Sequence, residues 1–413
     1  MINMYDLTLK NCKIITPVMQ IDDGSVSIAD GKIAFIGKKG REQGSKGSNK
    51  SKEELDLKNN RLLPGFFDIH THGGAGFEYD DIKDEVKGLE IIEKIAILSV
   101  SEGVTSFLPT MCASMKESFD EFLERVRIVS KILGDVKKGA EPEGINFELF
   151  MYPGLGAFAS EEGADKAIPK PNIENWKRIE EASGGLAKIV TVAPEWDDAL
   201  ELIRYLRFNG IVPSIGHTLA DDEILDEAIR RGANLVTHIL NTTLQPEQDQ
   251  IGVIVPGVNE YLLTRDDIMA EIIVDSGGFH VHPNMLKIAV KCLGVDNLIT
   301  ISDSLQSRGT NLKEFERDGV ILSCDGEVNR KPNGHLAGSA FGIDRAVRNF
   351  FNQSGVHLTD AVKTATANPA KLLNLNTKGG IEIGKDADLT LIDENFKVLL
   401  TVVQGKVAYR SSF

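Results

Sequence analysis

AKIVTVAPEWDDALELIRYLRFNGIVPSIGH, residues 187–217, holds one strand, one helix and a second strand in 31 residues. The opening run AKIVTV is apolar and rich in Ile and Val, whereas DDALELIRYLRFNG spaces its apolar residues three and four apart, and IVPSI is apolar again and ends on a histidine. A strand covered on both faces reads as a continuous apolar run, and the helix that covers it shows the 3.6-residue period. The stretch therefore predicts two parallel strands joined by a crossover helix.

The same alternation runs outward from it. GVTSFLPT precedes ESFDEFLERVRIVSKIL, IVPSIGH precedes DDEILDEAIRRGA, and NLVTHIL, MAEIIVDS and NLITISDS are further short apolar runs, with LLPGFFDIHTHGG (62–74) as the earliest. About eight such units predict an α/β fold closed as a (β/α)8, TIM-like barrel. Beyond them the pattern changes to strict alternation, in LTLKNCKII, SVSIADGKIAFIG and ELDLKNNRLLPG at one end and in GGIEIGKDADLTLIDENFKVLLTVVQGKVAYR at the other. Asp30-Gly31 and Gln404-Gly405 supply hairpin turns there. The expected organisation is a small β-sandwich domain built from both termini, residues 1–61 and 377–413, around a barrel over 62–376. GSKGSNKSKEE (44–54) reads as an exposed polar loop.

A chain of 413 residues with 42% hydrophobic content can bury a barrel-sized core. Its formal charge of −15 argues against nucleic acid or an anionic membrane as a partner and leaves a small-molecule substrate. Cys12, Cys112, Cys292 and Cys324 lack C-x-x-C spacing and read as free thiols. Neither a leader pattern nor a run of about 20 apolar residues is present, so the chain reads as cytoplasmic.

The polar residues fall in a telling place. His70 and His72, Glu195, His217, His238, Asp275 and Asp303 all stand at or near the C-terminal ends of predicted strands, which in such a barrel form the mouth where chemistry occurs. Any one of these histidines could be an ordinary hydrogen-bonded residue. An H-x-H at a strand end points both imidazoles one way. With two further strand-end histidines and an aspartate it forms the nitrogen-and-oxygen set that divalent metals take.

LLPGFFDIHTHG, TVAPE, SIGHT, VTHILN, the aspartate of ISDS, LAGSAFGIDRAVRNF and NPAKLLNLNTKGGIEIGKDADLTLID together resemble the amidohydrolase superfamily, and within it the N-acetylglucosamine-6-phosphate deacetylase family. The resemblance implies a metal-loaded barrel, a homodimer, and one or two divalent ions, with zinc the first choice and iron or manganese the alternatives. It assigns His70, His72, His217 and His238 as metal ligands and Asp303 as ligand and catalytic base. Glu148, in GAEPEGINFE, falls on the family's third-strand glutamate, with Asn146 where the family has histidine. A rival register over GLGAFAS would put Leu155 at that position and leave a single ion. His280 in GGFHVHP, Asn241 at the end of VTHILN and Arg308 in SDSLQSRG are the expected substrate contacts. Ser339 in LAGSA lacks a nucleophile-elbow context and reads as loop and helix-cap chemistry. Glu195 reads as structural.

Two departures bear on substrate. Asp165 stands where the family has a histidine that polarises the scissile carbonyl. The loop after the sixth strand carries Glu247, Gln248 and Asp249 in place of H-H-R, and carboxylates there would repel a phosphate. The leading expectation is a metal-dependent deacetylase of an N-acetyl amino sugar, in which the ion activates water and Asp303 moves the proton. The alternatives are an amidohydrolase of a non-phosphorylated N-acyl or cyclic amide and a catalytically silent barrel.

Overall fold

The computed structural model of the protein describes residues 4–38, 50–114, 116–152, 169–241 and 256–412. Eight parallel strands run in chain order around a barrel: Phe66–Thr71, Val104–Met111, Ile145–Phe150, Ala187–Val192, Val212–Ile215, Leu235–Val236, Met269–Ile273 and Leu298–Ile301. Each is buried along nearly its whole length, which is why the sequence shows unbroken apolar runs there. The ends of the sheet meet through backbone hydrogen bonds, Asp303 N–H to His70 O and His72 N–H to Ser304 O, both 2.9 Å. Closure therefore falls between the first and eighth strands, beside the H-x-H.

Helices alternate with the strands. Asp84, Ser118, Asn172 and Asp221 cap four of them, each accepting from a backbone N–H in the first turn, so polar residues just ahead of the apolar periodicity fix where these helices start. Helix Ala199–Phe208 lies between the fourth and fifth strands, as residues 187–217 predict.

Strands from the two ends of the chain share one eight-stranded sheet: Arg61–Pro64 pairs antiparallel with Leu389–Ile392 and parallel with Met4–Ile15. Its two tight hairpins turn where expected, with positive φ at both central residues of each, Asp30 (51°) and Gly31 (74°), Gln404 (46°) and Gly405 (76°). Lys378 fastens this end of the chain to the barrel, its Nζ lying 2.8 Å from Asp388 and 2.9 Å from Glu143.

Two elements differ from the sequence reading. Lys50–Asp56, part of the stretch read as a loop, is a strand pairing parallel with Met4–Lys10. Backbone pairing holds it, and its polar side chains stay mostly exposed, so no apolar alternation announces it. After the eighth strand the chain makes a separate four-stranded antiparallel sheet, Glu314–Arg317, Val320–Cys324, Val328–Arg330 and Leu336–Ser339, with a small core of Leu305, Phe315, Leu322 and Ala337. Ser339 is thus the end of a strand, and the cap of the next helix is Gly342. The Ser339 hydroxyl donates to Ser302 O (2.7 Å) and its N–H to Asp303 O (2.8 Å), which fixes the backbone under Asp303.

Candidate metal centre

The first strand carries Asp68 and His70 on one face by its two-residue period, and His72 follows just past its end. Asp68 is buried and accepts from the Ser302 hydroxyl (2.5 Å), so it serves closure and leaves the two histidines to the mouth. Glu148 comes from the third strand, His217 and His238 from just beyond the fifth and sixth, Asp303 from just beyond the eighth. His217, His238 and Asp303 all have positive φ (50°, 28° and 48°), a conformation that costs a side chain energy and is tolerated where the fold holds a residue in place for use.

Glu148 stands at the centre. Its Oε1 is 2.8 Å from His217 Nε2 and 3.0 Å from His238 Nε2; its Oε2 is 3.3 Å from His72 Nε2 and 3.7 Å from His70 Nε2. Asp303 Oδ1 lies 3.2 Å from His72 Nε2 and 3.6 Å from His70 Nε2. Two compact donor sets form within these six residues, His70/His72/Asp303 and Glu148/His217/His238, and a third joins His72 and Glu148 to Cys112, each with its ligand atoms within 4.8 Å of one another. All six residues are buried.

Electrostatics favour a cation here. Burial opposes charge on His70, but the Glu271 and Glu148 carboxylates outweigh it and hold the imidazole at about 10. Burial is likewise overcome at His238, which Glu148 pushes up. His217 goes down, because burial dominates there. Burial would raise both acids, yet the surrounding histidines hold Glu148 well below the usual carboxylate range and Asp303 at about 2. Carboxylates that keep protons on buried imidazoles are carboxylates short of positive charge, and a divalent ion supplies it while displacing those protons. His70 Nε2, buried and without a hydrogen-bond partner, fits the same need.

One residue the sequence reading passed over is Glu271, on the seventh strand. Its Oε2 is 2.9 Å from His70 Nδ1 and accepts from His238 N–H (3.3 Å), so it turns the His70 ring to present Nε2 to the cluster. The signal was present in MAEIIVD: Glu271 and Asp275 lie four apart in an apolar strand, on one face. Glu271→Gln is expected to weaken divalent-ion affinity by about 10–100-fold with little change in folding, measured by competition with a chromophoric chelator; unchanged affinity would remove Glu271 from the site.

Of the expected substrate contacts, His280 is buried, its Nδ1 held by Asp275 (3.0 Å) and its Nε2 free of hydrogen bonds. Three donors from residues 279 and 280 outweigh burial and hold Asp275 at about 2. Asn241 is half-buried three residues past His238, its N–H on the His238 carbonyl (3.1 Å). Arg308 is 1% exposed, its NH1 3.4 Å from Glu102 and its NH2 3.2 Å from Ser99. Glu195 accepts from Thr218 Oγ1 and from Leu219 N–H (2.7 Å), pinning the loop after His217. Leu155, Asp165, Glu247, Gln248 and Asp249 lie outside the described residues.

A parallel barrel with histidines and carboxylates gathered at the C-terminal ends of its strands is the architecture in which barrel hydrolases hold divalent ions. The chain belongs to the amidohydrolase family, whose sequence profile, described as "Amidohydrolase family", matches residues 61–408. It is 32% identical to the N-acetylglucosamine-6-phosphate deacetylase of Bacillus subtilis, over 98% of both chains, and 31% identical to that of Lysinibacillus sphaericus, again over 98% of both. The crystal structure of N-acetylglucosamine-6-phosphate deacetylase from Thermotoga maritima superposes with a TM-score of 0.79 at 26% identity, covering 98% of this chain and 100% of that one. Among the described residues no helix is long and apolar enough to cross a membrane.

Proposed function

We propose that this chain hydrolyses the acetamide of an N-acetylated amino sugar, using a divalent ion, zinc in the first instance, held by His70, His72, Glu148, His217, His238 and Asp303. The observation that carries the reading is the convergence of four imidazole Nε2 atoms on the Glu148 carboxylate at a barrel mouth. The names of the relatives support the substrate class. The two donor sets leave room for one ion or two.

The ion, when bound, supplies Lewis acidity, lowering the pKa of water and polarising the amide carbonyl. Asp303 does the proton work. Its carboxylate, kept ionised by His72 and His70, accepts the proton of the attacking water and delivers it to the departing amine. His280, oriented by Asp275 with Nε2 free, contacts the substrate, as does Asn241. Burial of the whole set keeps bulk water from the charges, which strengthens them.

A second reading, a substrate without the 6-phosphate, is favoured by Glu247 and Asp249 in the sequence and by the enclosure of Arg308 against Glu102. A charge-assisted contact to phosphate is worth about 1.5–3 kcal/mol, roughly ten- to a hundredfold. Acetate release by the zinc-loaded protein should therefore be followed at low ionic strength with N-acetylglucosamine and with its 6-phosphate. Metal-dependent release is expected, with the neutral sugar turned over at comparable kcat/KM. A preference for the phosphate beyond about a hundredfold would refute the second reading, and no release from either would refute the first.

A further inference from the structure

The cluster contains a side chain that neither the ligand set nor the proton transfer uses. Cys112 follows the second strand directly, is buried, and has its backbone fixed by the guanidinium of Arg125, whose NH2 donates to Cys112 O (2.7 Å). Its Sγ lies 3.4 Å from Glu148 Oε2 and 3.6 Å from His72 Nδ1, hydrogen-bond distances for sulfur. It also shares a compact donor set with those two residues. Next to them, His70 Nε2 is fully enclosed without a partner, so the space these groups surround is built to receive something.

We propose that Cys112 is a positioning residue for the metal centre, its thiol donating to Glu148 Oε2 while its sulfur accepts from His72 Nδ1–H. A thiol has one proton. Once that proton is given to Glu148, the sulfur can only accept from His72, so the neutral His72 ring carries its hydrogen on Nδ1 and turns the Nε2 lone pair toward Glu148 and Asp303. For His70 the same service is performed by Glu271, a carboxylate at 2.9 Å. The two histidines of H-x-H are thus oriented by different chemistry. An uncharged, polarizable partner on His72 adds no further anion to a cluster that already holds Glu148, Asp303 and Glu271.

The inference rests on the metal-centre reading, and its test separates the two. Cys112→Val removes both hydrogen bonds and adds one side-chain carbon; Cys112→Ser adds no bulk and keeps a donor and an acceptor. Zinc affinity, measured against a chromophoric chelator, should fall about 10–100-fold in Cys112→Val and much less in Cys112→Ser. The second readout needs no metal and no activity: the infrared S–H stretch that disappears in Cys112→Ser should lie at the low frequency of a thiol bonded to a carboxylate and should shift in Glu148→Gln. An S–H band at the free-thiol position, or a valine variant that binds zinc like wild type, would overturn the role of Cys112. A wild type that binds no divalent ion would refute the metal reading while leaving the infrared result to decide the hydrogen bond. Should Cys112→Val fail to fold, the serine variant and the band remain decisive.

Discussion

Glu148→Gln is expected to abolish most divalent-ion binding and to lower kcat/KM by far more than the ten- to hundredfold typical of an outer-shell change, on the order of a thousandfold. The reason is its central position: one carboxylate stands within 3.7 Å of four imidazole nitrogens, and an amide of the same shape offers a neutral oxygen and an NH2 group that points its hydrogens at ring nitrogens. The metal-free protein should suffer as well. His70, which Glu148 helps to keep protonated, would be left as a buried cation with less to balance it, and breaking a buried pair in this way is strongly destabilising. Wild type should gain thermal stability on adding zinc, since ligand binds only the folded state, and the glutamine variant should lose that gain. Elemental analysis of both proteins together with thermal unfolding checks this. Full metal content in the variant would remove Glu148 from the centre.

Why Glu148 could be weighed against Leu155 in the sequence but not decided is a matter of geometry. A carboxylate at the end of INFE looks the same whether it faces the barrel or a helix, and only the register of Ile145–Phe150 against Ala187–Val192 turns it inward. The histidines were easier, because each stands at the end of a short apolar run that reads as a buried strand. Glu271 and Cys112 were harder for opposite reasons. Glu271 is one acid inside such a run, visible by its period but without a partner in sequence, and its role exists only where the seventh strand faces the first across the barrel. A single cysteine carries no spacing at all. The four-stranded sheet over 314–339 escaped because its strands are short and partly exposed, so their apolar residues never accumulate into a pattern. The burial of Arg308 was not legible either, because a charge in a Gly-flanked segment looks solvated, whereas the chain folds it between Glu102 and Ser99.

Asp303→Asn should leave a protein that still takes up metal through His70, His72, Glu148, His217 and His238 but turns over about 10²–10⁴-fold more slowly, the range for losing a positioned acid–base group. That is about 3 to 5 kcal/mol of barrier. The effect should fall on kcat, with KM little changed, because Asp303 acts on the proton in flight and not on the resting substrate. The pH profile distinguishes this role from simple loss of a ligand. His72 and His70 hold Asp303 at about 2 in the metal-free site, and a bound cation would favour its ionised form in their place, so its carboxylate is ionised in the range in which the enzyme is assayed. Falling activity on the acid side must then come from protons competing with the metal for histidines such as His70, whose affinity for a proton is raised by Glu271 and Glu148. The asparagine variant, assayed at the same fixed zinc concentration as wild type, is therefore expected to keep the acid limb of wild type at a much reduced height. An acid limb that vanished with the carboxylate would mean that Asp303 itself titrates there, and that the histidines do not hold it as far down as their contacts imply.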